Sequence, residues 1–451
     1  MKKPNIILIT LDALRADHLG VYGYKKNTSP FIDSIAKRGV VFKNSFSVGA
    51  ATPQSFAGIM ASTYPLDFGG YTRITEQRTL LQEALQGAGY ITMGFHSNAY
   101  LSEYFGYGRG WDKFSHLNYF STAVSPGMKS GTWQSRLIKR IGIIRRVLAR
   151  YARFLEQIFL FFERIASTVR RIFVDLRRPI QAYFTAFEMN NAVKKELSEL
   201  AEQDGEIKDP IFLWVHYMDA HAPYGLFLRR GRGFLSKIKS YFADYLFDFW
   251  SEYPRVSRLF LPLYLGLYDD GIRHIDEALK DLFGYLSSKG VLNEESVVFI
   301  TADHGEEFND HGGFQHMQKF FNENIKVPLI AVGPEKLIGK PRTEEIPRSS
   351  MDIAPTILCF AGARRPQSFR GGNLFDGKER DVIAEISDHE ADLSGIKLIG
   401  RCLVAEKHKL ISDSQKLLFP LDDPEEKNNL YGEKKELAAR LEKRLKEFKN
   451  E

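Results

Sequence analysis

Five of the eleven histidines fall in two short windows: His216 and His221 in WVHYMDAHAPY, and His304, His311 and His316 in TADHGEEFNDHGGFQH, each with aspartates beside them. Imidazole nitrogen together with carboxylate oxygen suits a borderline divalent ion such as Zn or Mn, whereas Ca and Mg favour all-oxygen sites. A single buried histidine is more often a satisfied core residue than a ligand. Two His/Asp clusters are harder to explain as packing, and metal binding is expected at Asp303-His304. A third feature is Ala51-Thr52-Pro53-Gln54-Ser55. Thr is a good N-cap and Pro a favoured first helical residue, so Thr52-Pro53 can simply start a helix. The same geometry puts a hydroxyl at a helix N-terminus, where beside a dication it can lose its proton and attack phosphorus or sulfur. The residues alone leave these two readings open.

The elements that must position such groups are legible as apolar runs. Ile6–Leu11, Ile211–Met218, Val297–Ala302 and Val327–Val332 read as strands buried on both faces. Helical patterns lie between them, clearest at Ile272, Ile275, Leu279, Leu282 and Leu286. Alternating strands and helices predict an α/β fold with a mostly parallel central sheet covered by helices. Ligands sit outside the carboxyl ends of such strands. Three of the four runs end at candidate ligands: Asp12, then Asp219 with His221, then Asp303 with His304. After about residue 340 the texture changes. A short helix near Ile353–Phe360 precedes hairpin-like runs at Cys402–Ala405, Lys409–Ser412 and Lys416–Leu421, closed by a charged helix at Lys434–Lys449. This predicts a catalytic unit over 1–340 and a small antiparallel subdomain over 341–451.

The chain of 451 residues, 44% hydrophobic and 26% charged, is long enough for a substantial core and is neither disordered nor collagen-like in composition. Its net charge of +6 is concentrated: residues 131–180 hold twelve Lys or Arg and three Asp or Glu, a net +9, and the other 401 residues sum to −3. In that segment Leu137, Ile141, Ile144, Leu148, Tyr151, Leu155, Ile158, Phe162, Ile165, Val169, Ile172 and Leu176 follow steps of four and three, a heptad seam. An inserted helix packed on the body or on a second copy is one reading. A basic amphipathic helix on an anionic membrane surface is the other. No nucleic-acid motif accompanies the charge. Cys359 and Cys402 show no metal spacing and cannot form a disulfide framework. The N-terminal apolar run is short and ends in an acid, and no uncharged stretch reaches membrane-spanning length. A cytoplasmic protein, peripheral at the membrane in the second reading, is expected.

Taken in order, NIILITLDALRADHLGVYGY, TPQSFAGIMASTYP, WVHYMDAHAPY, ITADHGEEFNDHG, KVPLIAV, SMDIAPTILCFAG and LDDPEEKNNL resemble the sulfatase family of the alkaline phosphatase superfamily. The blocks span most of the chain outside roughly 120–190 and 225–262. The resemblance implies an alkaline phosphatase-like fold with a smaller C-terminal subdomain. It implies a divalent metal, Zn or Mn ahead of Ca or Mg, bound by Asp12, Asp303 and His304 with Thr52 as the nucleophile beside it. Asp219, His221 and His316 are candidates for further ligands as seen in two-metal relatives, or for hydrogen bonds to substrate or ligands. A histidine from 221, 311 or 316 is expected to protonate the leaving group.

Three departures from the formylglycine-dependent pattern stand out. Thr52 occupies the Cys/Ser position, with Phe56 where an Arg belongs; Ala13 replaces a second Asp; His304 replaces an Asn. Thr cannot become formylglycine, and the changes point to the Thr-nucleophile branch, whose phosphodiesterases and phosphoethanolamine or phosphoglycerol transferases use Zn or Mn. The expected function is a hydrolase of small-molecule or lipid-like sulfate or phosphate esters, with such a transferase as the alternative. A non-catalytic membrane-associated or dimeric binding protein is the reading from a different class. Phe234, Tyr241, Phe242, Tyr245, Phe247, Phe249 and Trp250, in the second uncovered region, are placed to cap a cleft or to pack a core.

Overall fold

The computed structural model describes residues 3–117, 183–204, 209–228, 239, 258–316, 319–388 and 397–450. The heptad seam of 131–180 and the seven aromatics just named lie outside them. Among the described residues no helix is long and apolar enough to cross a membrane.

Eight strands form the central sheet: β1 (Ile6–Leu11), β2 (Val40–Phe42), β3 (Ile91–His96), β4 (Lys113–His116), β5 (Ile211–Tyr217), β6 (Val297–Ala302), β7 (Leu329–Val332) and β8 (Arg342–Glu344). Their spatial order is β8-β2-β7-β6-β1-β5-β3-β4. Only β7 runs against its neighbours. β1 lies between β5 and β6 with every residue from Ile6 to Leu11 in register with both.

The apolar runs are continuous because the two pleat faces feed two separate cores. Ile7, Ile9 and Leu11 meet Ile272, Ile275, Leu279 and Leu282 of a long helix, while Ile6 and Leu8 meet Phe56, Ile59, Leu81, Leu85 and Ile357 on the other face. The helices on these faces are α1 (Thr52–Ala61), α2 (Leu81–Gly87), α3 (Ala186–Asp204), α4 (Leu261–Ser288) and α5 (Ile353–Ala361). A sheet centred on β1 therefore brings the chain segments after β1, β3, β5 and β6 to one edge.

The C-terminal part is a four-stranded antiparallel meander, β9 (Val382–Asp388), β10 (Lys397–Ala405), β11 (His408–Ser412) and β12 (Lys416–Pro420), with α6 (Lys435–Glu447) packed on it. Its core is continuous with the main body through Val48, Tyr64 and Met351, and the Glu385 N–H donates to the Val48 carbonyl at 2.8 Å.

Candidate active site

Asp12 follows β1 directly, and its N–H still donates to the Tyr217 carbonyl of β5 at 2.8 Å. The chain then turns through Ala13 at φ +57°, a left-handed conformation that L-residues other than Gly disfavour. The turn aims the Ala13 N–H at Asp303 Oδ1, 3.3 Å away. Asp303 follows β6, and the same oxygen accepts the His304 N–H at 2.9 Å. Both carboxylates are fully buried, and Asp12 Oδ1 and Asp303 Oδ2 have no hydrogen-bond partner. Burial opposes ionisation of Asp12, yet the charge of His221 and the hydrogen bond and charge of His216 outweigh it and hold the carboxyl well below the usual range.

Thr52 is not the N-cap. Ala51 occupies that position with no side-chain cap bond, and Thr52 and Pro53 open α1. The Thr52 hydroxyl is thus not spent on its own helix. It lies 3.3 Å from His304 Nε2 and 3.5 Å from Asp12 Oδ2, and it accepts from Asn98 Nδ2 at 3.3 Å. His304 Nδ1 faces the Gly305 carbonyl at 2.9 Å. A carbonyl only accepts, so Nδ1 carries the proton and Nε2 presents a lone pair. Burial first, and then the neighbouring His316, push the His304 pKa down, which keeps that lone pair available.

Two residues of the cluster go beyond the expected site: Asn98 has no place in the sequence expectations, and His216 is there only as a member of a His/Asp window, with no role of its own. Asn98, two positions past β3, donates from Nδ2 to Asp12 Oδ2 at 2.9 Å, and its Oδ1 accepts the Tyr100 N–H at 3.0 Å, which fixes the amide's orientation. His216, in β5, places Nε2 3.1 Å from Asp12 Oδ2 and Nδ1 2.9 Å from Thr10 Oγ1. The Asp12 carboxylate only accepts, so His216 Nε2–H donates to it, and in the neutral ring Nδ1 then accepts from the Thr10 hydroxyl, whose oxygen also accepts from Trp214 Nε1 at 2.9 Å. The available signal for His216 was its alternation in β5 with Trp214, on the face that holds Phe56. Asn98 follows a strand too mixed to be recognised from its sequence.

Of the other expected residues, His316 and His221 come together with the cluster. His316 stacks on His304 with ring centroids 4.1 Å apart, and His221 meets His316 at 5.0 Å. His316 Nδ1 pairs with Glu306 Oε1 at 2.9 Å, and Tyr224 donates to Glu306 Oε2 at 2.8 Å. Burial opposes the charge on His316, but Glu306 outweighs it and raises the pKa. Asp219 pairs through Oδ1 with His274 Nδ1 of α4 at 2.9 Å, and its Oδ2 is a third buried carboxylate oxygen without a partner. His311 pairs with Glu323 at 2.7 Å and stacks on Phe321.

Two buried carboxylates, each with one unpartnered oxygen, are a donor set that fits a divalent cation. Asp12, His216 and Asp303 have donor atoms within 4.8 Å of one another. His304 Nε2 is an equally near third donor, 3.4 Å from Asp303 Oδ2 and 3.6 Å from Asp12 Oδ1. The hydrogen bonds favour His304, since the Nε2 of His216 carries a proton directed at Asp12.

Residues 4–363 match the family model for sulfatases, so the chain belongs to the sulfatase family, a class of ester hydrolases. It is 23% identical to an uncharacterised sulfatase of Escherichia coli K12 over 461 residues, covering 95% of this chain and 83% of that protein. It is also 23% identical to an ulvan-active sulfatase of Formosa agariphila, covering 100% and 82%. Among solved structures it resembles a phosphonate monoester hydrolase of Agrobacterium radiobacter (TM-score 0.63, 18% identity, 98% and 94% covered). It likewise resembles a protein solved with its substrate D-glucosamine-2-N,6-O-disulfate (TM-score 0.65, 18% identity, 99% and 96% covered). These likenesses establish the alkaline phosphatase-like fold.

Proposed function

We propose that this chain is a metal-dependent hydrolase of sulfate or phosphate esters with Thr52 as its nucleophile. The observation that carries this reading is the Thr52 hydroxyl lying between a bare His304 Nε2 at 3.3 Å and Asp12 Oδ2 at 3.5 Å, beside two unpartnered carboxylate oxygens. A divalent ion, Zn or Mn, would be held by Asp12, Asp303 and His304 with Thr52 Oγ1 beside it, and would lower the hydroxyl pKa and offset charge on the transferring group.

The protein's own groups act around that centre. Asn98 Nδ2–H stabilises negative charge developing on Thr52 Oγ1. His216 and Asn98 both donate to Asp12 Oδ2, which fixes that oxygen and leaves Oδ1 free. Thr52 Oγ1 would form a bond to sulfur or phosphorus as the bond to the ester oxygen breaks. The Thr52 proton would leave to solvent on ionisation, the leaving oxygen would take a proton from His316 or His221, and the same histidine would take one back from the water that then cleaves the Thr52 ester. The Glu306–His316 pair favours His316 as the acid, because the carboxylate keeps its ring oriented and its proton available.

The relatives include sulfatases and a phosphonate monoester hydrolase, and the Thr hydroxyl with His304 tilts the reading towards phosphoryl esters. A panel of aryl sulfate, phosphate monoester, phosphodiester and phosphonate monoester substrates ranks the classes. Thr52→Ala is expected to abolish turnover of the best substrate with Zn and Mn content unchanged; full activity in that variant would refute Thr52 as nucleophile.

A further inference from the structure

The turn after Asp12 is an unusual support for a metal ligand, because its left-handed residue is Ala13 rather than a glycine. Such a conformation persists only where its surroundings impose it. The imposing group is a single buried side chain. Tyr268, on α4, donates its hydroxyl to the Ala13 carbonyl at 2.7 Å and accepts the Arg15 N–H at 2.8 Å. One hydroxyl thus spans the turn on both sides. Its ring is fixed in turn, edge-on to His18 at 5.0 Å and packed on Phe308 at 4.9 Å.

What the turn holds is the spacing of the two carboxylates. Asp12 precedes it, and the Ala13 N–H grips Asp303 Oδ1. Arg15, at its far end, donates from Nη1 to the Glu306 carbonyl at 3.2 Å and forms a two-pronged pair with Asp310 at 2.9 and 3.1 Å. The segment after β1 is thereby tied to the segment after β6, with Tyr268 at the junction.

Resting on the metal reading above, we propose that Tyr268 is a positioning residue for the metal centre: by holding Ala13 left-handed it sets the Asp12–Asp303 separation, without touching substrate or metal itself. Partners that orient ligands from outside the coordination sphere contribute about 10- to 100-fold in metal affinity.

The test is isothermal titration of metal-free protein with Mn and with Zn. Tyr268→Phe keeps the ring and removes only the hydroxyl. Its affinity should fall by about 10-fold, while Tyr285→Phe should match the unaltered protein, since the Tyr285 hydroxyl bonds Lys194 O and Ser198 Oγ at the other end of α4. In an Ala13→Gly background, where the left-handed turn needs no imposing group, the same tyrosine change should cost much less affinity. A Tyr268→Phe protein that is folded and binds both ions as the unaltered protein does would overturn the proposal alone. Equal losses with and without the Ala13→Gly change would overturn the route through the turn. An unaltered protein that takes up neither ion would overturn the metal reading itself. If Tyr268→Phe does not fold, titrating Ala13→Gly alone against Ala13→Val decides it: a left-handed turn imposed from outside predicts weaker binding in the valine variant only.

Discussion

At the carboxyl ends of β1 and β6, Asp12 and Asp303 are buried with one oxygen each left without a partner. In the C-terminal sheet Lys409 and Glu426 are buried as deeply, at 1% and 2% side-chain exposure, with their polar atoms engaged. Lys409 Nζ meets Glu426 Oε1, the Phe320 carbonyl at 2.9 Å and Asn322 Oδ1 at 2.9 Å, and Glu426 Oε2 accepts the Asn322 N–H at 2.7 Å. Both clusters take charge out of water, which costs several kcal/mol per ion by order of magnitude. The C-terminal pair offsets part of that cost internally, burial still raising the Glu426 carboxyl against the pull of Lys409, and it joins the meander to the body. The Asp12–Asp303 pair leaves part of it uncompensated, which is what the proposed cation would offset. The two clusters thus differ in how far their buried charges are partnered: Lys409 and Glu426 are engaged with each other and with Asn322, while Asp12 and Asp303 each keep one free oxygen.

Variants that complete one cluster and break the other should separate the two roles. The largest effect is expected for Asp303→Asn. Its Oδ1 still accepts from Ala13 and His304, and its new amide N–H faces the bare His304 Nε2. Turnover should fall by more than the ~100-fold typical of a mere orienting partner, while the unfolding midpoint of metal-free protein stays level or rises. A lowered midpoint would contradict the account of orphaned oxygens. Next, Glu426→Gln leaves Lys409 buried against a neutral partner. A stability loss approaching about 3 kcal/mol by denaturant titration is expected, with kcat/KM of the folded enzyme little changed. A selective loss of activity instead would erase the contrast between the two clusters.

The smallest effect concerns pH. The Asp17 side chain is 63% exposed, so solvent screens its pair with Arg15 and keeps the effect on stability small. Desolvation opposes ionisation of Asp17, yet the guanidinium still draws the carboxyl from 3.8 to about 2. A depressed carboxylate stabilises the fold above its unfolded value and loses that contribution as pH falls through its folded one. Acid unfolding should therefore steepen between about pH 4 and pH 2, and Asp17→Asn should flatten that limb; an unchanged limb would remove Asp17 from the Arg15 clamp.

Legibility in the sequence followed apolar composition more than burial. β1, β5 and β6 are buried on both faces and spell nearly continuous apolar runs, which places Asp12 and Asp303 at strand ends; β3 is buried almost as completely. β3 has the sequence ITMGFH, in which Thr92, Gly94 and His96 interrupt the run, and without that strand Asn98 had no reason to be read as a site residue. β9, with Glu385 and Ser387 in its middle, was missed in the same way. Asp219 lies two residues from His221 in the chain, and its Oδ1 pairs with His274 of α4, a contact of which the sequence carries no local sign.

The α/β class and the strands that end at clustered Asp and His residues are legible in the sequence, because apolar runs and residue chemistry are local properties; Asp12, Thr52, Asp303 and His304 are singled out as a set by the resemblance of its ordered blocks to a family. The tertiary structure decided which third donor is bare, that Thr52 opens its helix without capping it, and that Asn98, His216 and Tyr268 surround the pair. The placement of Asn98, His216 and Tyr268 depends on hydrogen bonds between residues 46 to 255 positions apart, and no local pattern encodes which of many equally polar side chains will meet across a sheet.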